Sequence, residues 1–291
     1  MLHSIQNEAL KVEVSSHGAE LRSLHSKSYN KEYLWQGHRE FWGRRAPVLF
    51  PIVGALKNGC YLYNGKKYNM PQHGFARDQE FQIVDKSLRS IAFLLRHNEQ
   101  TLKSYPFHFD LLIIYDLSDA ILTVTYEVLN TGSSDLLYSI GAHPAFNCPV
   151  NENEVRSEYA LLFSGHEVLD RQYLDDGTRT GEKESVLNGQ KQIIIADHLF
   201  DRDALVFQGI KSENVFLARA DNTLVRVRVR DFDYLGLWSK NSSAPFVCIE
   251  PWMGIADHVD HNGVLEQKEG IRRLPPGDQE KFDFEIEIYE K

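Results

Sequence analysis

Residues 122–128 read LTVTYEV and alternate apolar with polar side chains. Successive side chains of a β-strand point to opposite faces, so this stretch predicts a strand with one face in the core and the other in solvent. The same period of two recurs at 10–14 (LKVEV), 225–230 (VRVRVR) and 282–288 (FDFEIEI). No window carries a sustained apolar stripe of period 3.6, and only residues 98–104 predict a short helix. The chain is therefore predicted to be all-β.

Asn-Gly pairs at 58–59, 64–65, 188–189 and 262–263 supply turn signals between these segments. Both residues of such a pair tolerate positive φ, which is typical of a type I′ hairpin. No linker, fixed-period repeat or low-complexity tract interrupts the pattern. Residues 1–291 are thus predicted to form a single domain, a large antiparallel β-sandwich.

The arginines of 225–230 share one face of their predicted strand. The interpretation favoured here is a solvated or cross-strand-paired face rather than a basic patch. The acidic row of 282–288, formed by Asp283, Glu285 and Glu287, is a candidate partner.

Composition excludes several classes of function. The 291 residues carry 32 Lys+Arg against 41 Asp+Glu, a formal net charge of −9, which argues against nucleic acid. We expect no membrane partner, because no stretch approaches the ~18 consecutive apolar residues of a spanning helix. The opening residues lack the basic and apolar regions of a signal peptide. The three scattered cysteines, Cys60, Cys148 and Cys248, fit reduced thiols. We therefore expect a cytoplasmic protein, and the sequence leaves its oligomeric state open.

Three segments place titratable residues among Gly, Pro and aromatic residues. They are 70–78 (MPQHGFARD), 140–147 (IGAHPAFN) and 246–254 (FVCIEPWMG). Each has an ordinary explanation alone, such as a turn histidine or an ion-paired glutamate. Together they predict a pocket with two histidines and one glutamate beside aromatic walls. Such groups titrate near neutrality, where acid–base catalysis is efficient. They would suffice to open and reclose a hemiacetal ring with no cofactor.

Other chemistries are less well supported. Two histidines and a glutamate can form a metal triad, but the close HxH or HxxxH pair that usually supplies two ligands is absent around them. His258 and His261 stand beside Asp257 and Asp260; a hydrated turn before Asn262 is favoured over a metal site there. No GxSxG, GxGxxG or GxxxxGK[ST] motif is present, which argues against a serine hydrolase and a nucleotide site.

With 18–21 (GAEL) and 45–54 (RAPVLFPIVG), the three segments resemble the aldose 1-epimerase (galactose mutarotase-like) superfamily in order and spacing, specifically its LacX-like branch. The resemblance covers essentially the whole chain. It implies a large β-sandwich of the galactose mutarotase type with the sugar in an open cleft. It also implies that Glu250 is the base at the anomeric hydroxyl, that His143 is the acid at the ring oxygen, and that His73 binds the same region.

The resemblance also suggests residues that bind substrate. Asp203 sits where mutarotases have an aspartate that binds sugar hydroxyls, although the surrounding motif differs. Trp252 and Phe75, with Phe146, flank the histidine and glutamate positions and are predicted to form pocket walls.

Two arginines bear on the substrate class. The segments around Arg45 and Arg77 resemble those of hexose-6-phosphate mutarotases, in which nearby arginines hold the phosphate, and the guanidinium fork suits phosphate. Equally, both could simply pair with acids such as Asp78 and Glu80. Free and phosphorylated sugars both remain open.

The resemblance thus implies an isomerase, an aldose 1-epimerase acting on an aldohexose or its 6-phosphate without cofactor or metal. The alternative is a non-catalytic carbohydrate-binding or sugar-sensing protein on the same fold. A metal-dependent sugar isomerase is a third possibility.

Overall fold

The computed structural model describes residues 1–151, 153–220 and 222–289. A small antiparallel sheet opens the chain, with strands in sequence order: β1 (Leu2–Gln6), β2 (Leu10–Ser15), β3 (Leu21–Ser26) and β4 (Lys31–Glu32). The remaining strands follow in chain order: β5 (Val48–Leu49), β6 (Cys60–Tyr63), β7 (Lys66–Asn69), β8 (Gln82–Lys86), β9 (Ser90–Arg96), β10 (Phe109–Ser118), β11 (Ile121–Asn130), β12 (Leu136–Tyr138), β13 (Ile140–Ala142), β14 (Ala145–Asn147), β15 (Tyr159–Asp175), β16 (Thr178–Ile194), β17 (Leu205–Gln208), β18 (Asn214–Arg219), β19 (Asn222–Arg228), β20 (Tyr234–Trp238), β21 (Phe246–Met253), β22 (Arg272–Leu274) and β23 (Gln279–Ile288).

Most of these strands join one large sheet. Its order is β5-β13-β21-β20-β17-β15-β18-β19-β23-β11-β10-β9-β8, with β14 also paired to β21 and β16 to β15. The pairs β6-β7 and β12-β22 stand apart. Helix is confined, in the described ranges, to α1 (Thr101–Ser104) and four 3-10 turns at Lys57–Gly59, Ala76–Asp78, Arg156–Glu158 and Leu265–Gln267. The all-β prediction and the short helix within 98–104 are both confirmed.

The stretch 122–128 forms most of β11, an interior strand of the large sheet. β11 pairs with β10 on one side and β23 on the other. Its apolar positions, Leu122, Val124, Tyr126 and Val128, are all buried. They belong to a core cluster that runs from Ile5 to Ile288 and joins the small sheet to the large one. This continuity accords with a single domain, which stays a prediction.

Only one of the four Asn-Gly pairs makes the predicted hairpin. Asn64 and Gly65 connect β6 to β7 with φ values of 49° and 73°. The pair at 58–59 lies in a 3-10 turn, 188–189 lies inside β16, and 262–263 lies in a loop. The hairpin prediction is wrong for these three, because the dipeptide permits positive φ but does not determine which segments pair.

The arginine row of β19 is paired as predicted. Arg226 contacts Glu285 at 2.8 Å and Glu287 at 2.7 Å, and Arg228 contacts Asp283 and, at 3.3 Å, Glu285. These partners lie on β23, which pairs antiparallel with β19. Arg230 differs in contacting Glu213 at 2.9 Å. The row is thus a cross-strand ion-pair network and not a docking patch.

Within the described ranges, no helix has the length and apolarity needed to span a membrane.

Candidate active site

A cleft of about 560 Å³ opens over the β20–β21 part of the large sheet. The three chain segments singled out by sequence all reach it. Its walls come from loops and from the tip of the β15–β16 hairpin, and the lining residues are Trp42, Arg44, Gly54, Gln72, His73, Arg77, His143, Leu174, Gly177, Phe200, Asp201, Asp203, Ala204, Val206, Trp238, Lys240, Glu250, Trp252, Ile255 and Ala256. A concave site with a few convergent polar groups is typical of a ligand pocket.

Glu250 lies on the floor of this cleft, within β21, and its side chain is 1% exposed. Burial raises the pKa of the carboxyl group well above its usual value. The neighbouring Trp252 lowers the pKa by a smaller amount, and the charge of Asp203 raises it again. The carboxyl group therefore favours its protonated form.

His143 is directly opposite Glu250 because of strand register. β13 pairs with the end of β21 and β14 pairs with its first half, so residues 142–144 interrupt the ladder opposite 249–251. The register is the same on both sides of this gap, since Gly141 faces Trp252 and Ala145 faces Cys248, so residue 143 falls opposite residue 250. Facing side chains on adjacent strands lie close together, and His143 Nε2 is 3.2 Å from Glu250 Oε2.

The imidazole of His143 is held neutral. Burial lowers its pKa to about 3, and the charges of Arg77 and Arg44 act in the same direction. With a protonated Glu250, the pair carries one proton. Glu250 Oε2 has no hydrogen-bond partner among the described residues, so it is free to exchange a proton. Protonation of His143 with loss of the proton from Glu250 would produce an imidazolium and a carboxylate together, which is an acid beside a base.

His73 approaches His143 edge-on, with ring centroids 5.7 Å apart. Its Nδ1 accepts a hydrogen bond from the backbone N–H of Gly54 at 3.2 Å, which leaves the ring proton on Nε2. Burial lowers the pKa of His73 well below its usual value, followed by the effects of His143, Arg77 and Arg44. His73 is therefore a neutral hydrogen-bond donor.

Gly74 sets the position of His73. Its φ is +70°, and a Cβ atom built on it would lie 2.2 Å from the carbonyl oxygen of Phe50. Only glycine lets the two backbones approach so closely. The β-bridge between Phe50 and Gly74 thus anchors His73 at the edge of the cleft.

The structure brings Asp203, Arg77 and Trp252 to the cleft, as predicted, but not Arg45 or Phe75. The guanidinium of Arg45 turns away and donates hydrogen bonds to the carbonyl oxygen of Arg22 and to Gln36 Oε1. The ring of Phe75 packs in the core against Tyr105 and Phe109. The interpretation of Arg45 and Phe75 as binding residues is therefore corrected.

Phe146, also expected as a wall, is fully buried in the same core.

Sequence reasoning missed Arg44, which lines the cleft where Arg45 had been expected. Both arginines lie in the loop between β4 and β5, and the path of this loop decides which one faces the cleft. Arg44 contacts Asp78 at 2.8 Å, and Arg77 lies 4.0 Å from the same carboxylate. Of the two predicted pairings, Arg77 approaches Asp78, but the guanidinium of Arg45 is bonded elsewhere. Glu80 instead contacts the N-terminus and His17.

Trp42, Trp238 and Lys240 were also missed. They reach the cleft from a loop and from the end of β20, and no local pattern in the sequence marks them.

A metal could be held by one group of three side chains in the described parts of the chain. His143, Cys248 and Glu250 place their ligand atoms within 4.8 Å of one another. The triad considered from the sequence contained His73, and this set contains Cys248 in its place. Burial raises the pKa of the Cys248 thiol well above its usual value, so metal binding would have to displace a firmly held proton.

The second histidine cluster is a turn. Nδ1 of His258 accepts a hydrogen bond from the backbone N–H of Asp260, and Nδ1 of His261 accepts one from that of Gly263, both at 3.1 Å. Asp257 forms a buried ion pair with Lys268 at 3.0 Å. This geometry favours the turn interpretation over the metal site.

Acid is expected to destabilise the protein through this site. His73 and His143 are neutral when folded but protonated below about pH 6.5 when unfolded. Each therefore costs stability as the pH falls below 6.5. Glu250 acts in the opposite direction, because the folded chain keeps a proton that the unfolded chain loses above pH 4.5. Between these values the three groups together bind a net one proton more in the unfolded chain, so they contribute a fall in the free energy of unfolding of about 1.36 kcal/mol per pH unit.

Urea unfolding between pH 5 and 6.5 measures this slope, and two variants resolve its parts. His143→Gln should remove the proton that the unfolded chain binds at this histidine, so the free energy of unfolding should depend less steeply on pH. Glu250→Gln should roughly double the wild-type slope, because the unfolded variant would bind two protons more than the folded one. Equal slopes in all three proteins would show that these groups do not carry the shifts assigned to them.

Comparison with known proteins places this geometry in context. The aldose 1-epimerase family profile matches residues 1–271. The plasmid-encoded LacX protein of Lactococcus lactis subsp. lactis is 32% identical over 298 aligned residues, covering 99% of each chain. A galactose mutarotase related enzyme from Lactobacillus acidophilus superposes with a TM-score of 0.95 at 37% identity, over 99% of this chain and 97% of that one. A galactose mutarotase-like protein from Lactobacillus casei superposes with a TM-score of 0.93 at 31% identity, over 99% of this chain and 100% of that one.

Proposed function

Because the chain belongs to the aldose 1-epimerase family, in its LacX-like branch, we propose that it is an isomerase that interconverts the α and β anomers of an aldohexose or its 6-phosphate. The observation that carries this proposal is the 3.2 Å contact between Glu250 Oε2 and His143 Nε2 on the cleft floor. It places a carboxyl group and an imidazole side by side, where one can act as base and the other as acid on the same sugar ring.

In the proposed reaction, the carboxylate of Glu250 removes the proton of the anomeric hydroxyl. The imidazolium of His143 gives its proton to the ring oxygen, and the C1–O5 bond breaks to leave the open-chain aldehyde. His73 donates a hydrogen bond from Nε2 to an oxygen of the same region. Rotation about C1–C2 presents the other face of the aldehyde, and the same two groups then act in reverse to close the ring.

The walls of the cleft would orient the sugar. Trp252 and Trp238 offer aromatic faces and edges for the C–H faces of the ring. Asp203 has an exposed side chain within the cleft and can accept hydrogen bonds from sugar hydroxyls. We also propose that the protein acts in the cytoplasm, where its three cysteines would remain free thiols.

The arginines at the rim support a phosphorylated substrate. Arg77 is mostly buried, which lowers its pKa to about 10, and Arg44 stands close enough to contribute to that shift. Two guanidinium groups facing one cavity fit a dianionic phosphate. Arg77→Gln is expected to raise KM for a hexose 6-phosphate by about 10- to 100-fold, since charge-assisted hydrogen bonds contribute about 1.5–3 kcal/mol. KM for the free hexose should change much less.

Parallel measurements on Arg44→Gln and Arg45→Gln sharpen this test. Arg44→Gln should show the same selectivity, whereas Arg45→Gln should not, because Arg45 faces away from the cleft. Equal effects of Arg77→Gln on free and phosphorylated hexoses would contradict a phosphate site.

The proposed function is tested by measuring α-to-β exchange by NMR for glucose, galactose and their 6-phosphates. Acceleration above the buffer rate for at least one sugar is the expected result. Saturable sugar binding without acceleration would instead identify a carbohydrate-binding or sugar-sensing protein. Activity that disappears with a chelator and returns with a metal would identify the metal-dependent alternative, with His143, Cys248 and Glu250 as its ligands.

A further inference from the structure

The imidazole of His143 packs against the flat face of Trp42. The two ring centroids are 4.7 Å apart and the planes are inclined by 26°. Trp238 and His73 meet the same imidazole nearly at right angles, with centroids at 5.6 Å and 5.7 Å. Trp42 therefore presents its π-face, and not its edge, to the imidazole.

Trp42 is held in place through both its backbone and its ring. Its backbone N–H donates a hydrogen bond to the carbonyl oxygen of His38 at 3.0 Å, and its own carbonyl oxygen accepts one from Trp35 Nε1 at 2.9 Å. Its ring also stacks on Phe246, with centroids 5.8 Å apart and planes inclined by 25°. The stacked geometry is thus pre-organised by contacts within the protein.

The proposed reaction passes through a protonated His143, and most of the surroundings oppose that state. Burial and two nearby guanidinium groups favour the neutral imidazole. Glu250 and Cys248 of β21 lie close to this imidazole, and His73 packs against it. The charges of Arg44, in the loop before β5, and Arg77, in the segment before β8, also act on it. Among them only Glu250 is acidic, and it gives up its own negative charge when it is protonated.

We propose that Trp42 is a positioning residue that stabilises the imidazolium of His143 during ring opening through the negative face of its indole. The inference rests on the proposed mutarotase reaction. A cation over an indole face is attracted by the ring quadrupole, and the attraction is strongest where water is excluded. The side chain of His143 is only 9% exposed, so this condition is met. The same stack also holds the imidazole plane so that Nε2 faces Glu250.

The test replaces Trp42 with tryptophans carrying one to four ring fluorines, introduced at this position alone. Fluorination withdraws electron density from the ring face but barely changes its shape. We expect kcat for anomer exchange to fall stepwise with each fluorine, KM to stay nearly constant, and the melting temperature to remain unchanged. Trp42→Leu should lower kcat by roughly tenfold to thirtyfold, with Trp42→Phe in between. A series of ring-fluorinated phenylalanines at Phe93, a fully buried residue of β9 outside the cleft lining, serves as the control and should leave kcat unchanged.

The outcomes separate this inference from the function on which it rests. A wild-type protein that accelerates anomer exchange, with a flat fluorine series at Trp42, overturns the electrostatic role and leaves the mutarotase proposal standing. An equal decline in the Phe93 series also overturns it, because the effect of fluorination would then be general. A wild-type protein with no acceleration for any sugar removes the proposed function, and this inference falls with it.

Discussion

Glu250→Gln is expected to lower kcat for anomer exchange by about three orders of magnitude, within the ~10²–10⁴-fold range of general acid–base catalysis. Glutamine has nearly the same shape as a protonated glutamate, and burial favours the protonated form of Glu250. The substitution therefore removes the base and leaves the packing of β21 intact. NMR exchange rates of the variant, together with KM from their dependence on sugar concentration, measure the effect. KM should change much less than kcat.

A matched control comes from a second buried glutamate. Glu167 is 1% exposed and accepts hydrogen bonds from the backbone N–H groups of Lys211 and Ser212, outside the cleft lining. Glu167→Gln keeps an oxygen that can accept these bonds, so it should retain near-wild-type kcat. If Glu250→Gln retains activity within tenfold of wild type, Glu250 is not the base.

Gly74→Ala is expected to reduce the free energy of unfolding by about 3 kcal/mol or more. A left-handed conformation costs a residue with a Cβ about 1–2 kcal/mol, and an overpacked contact adds about 1–3 kcal/mol. Here the added Cβ would meet the carbonyl oxygen of Phe50 at 2.2 Å, so backbone must move. Urea unfolding at neutral pH measures the loss. The variant should also lose activity, because the movement displaces His73.

Gly65→Ala isolates the conformational part of that cost. Gly65 has a φ of +73°, nearly that of Gly74, but a Cβ there meets nothing within 4 Å. It should cost only about 1–2 kcal/mol and leave the anomer exchange rate unchanged. Similar losses for the two variants would mean that the contact with Phe50 relaxes without cost, contrary to the argument for Gly74.

The strands and the cleft floor were accessible from sequence because their signals are local. Alternation marks β11 and β23, and the Gly and Pro context marks His73, His143 and Glu250. The position of His143 opposite Glu250 required the register of β13 and β14 on β21, which no local pattern contains. The sequence therefore identified His143 and Glu250 as candidate catalytic residues but did not predict that they are in contact.

The walls were harder to predict because they depend on side-chain direction and on distant loops. Arg44 and Arg45 are chemically identical neighbours, and only the path of the chain decides which one faces the cavity. Phe75 follows His73 by two residues, yet it packs into the core while His73 faces the cleft. An aromatic residue next to a functional residue in sequence is therefore weak evidence for a binding wall.

With Glu250 protonated and His143 neutral, the proposed reaction needs no outside source of protons to complete its cycle. In the proposed reaction, the pair gives one proton to the sugar and takes one back, so each turnover ends with the pair charged as it began. No recharging from solvent separates one turnover from the next. The rate at saturating sugar should therefore be independent of buffer concentration, and the two anomers can be processed in either direction by the same resting form.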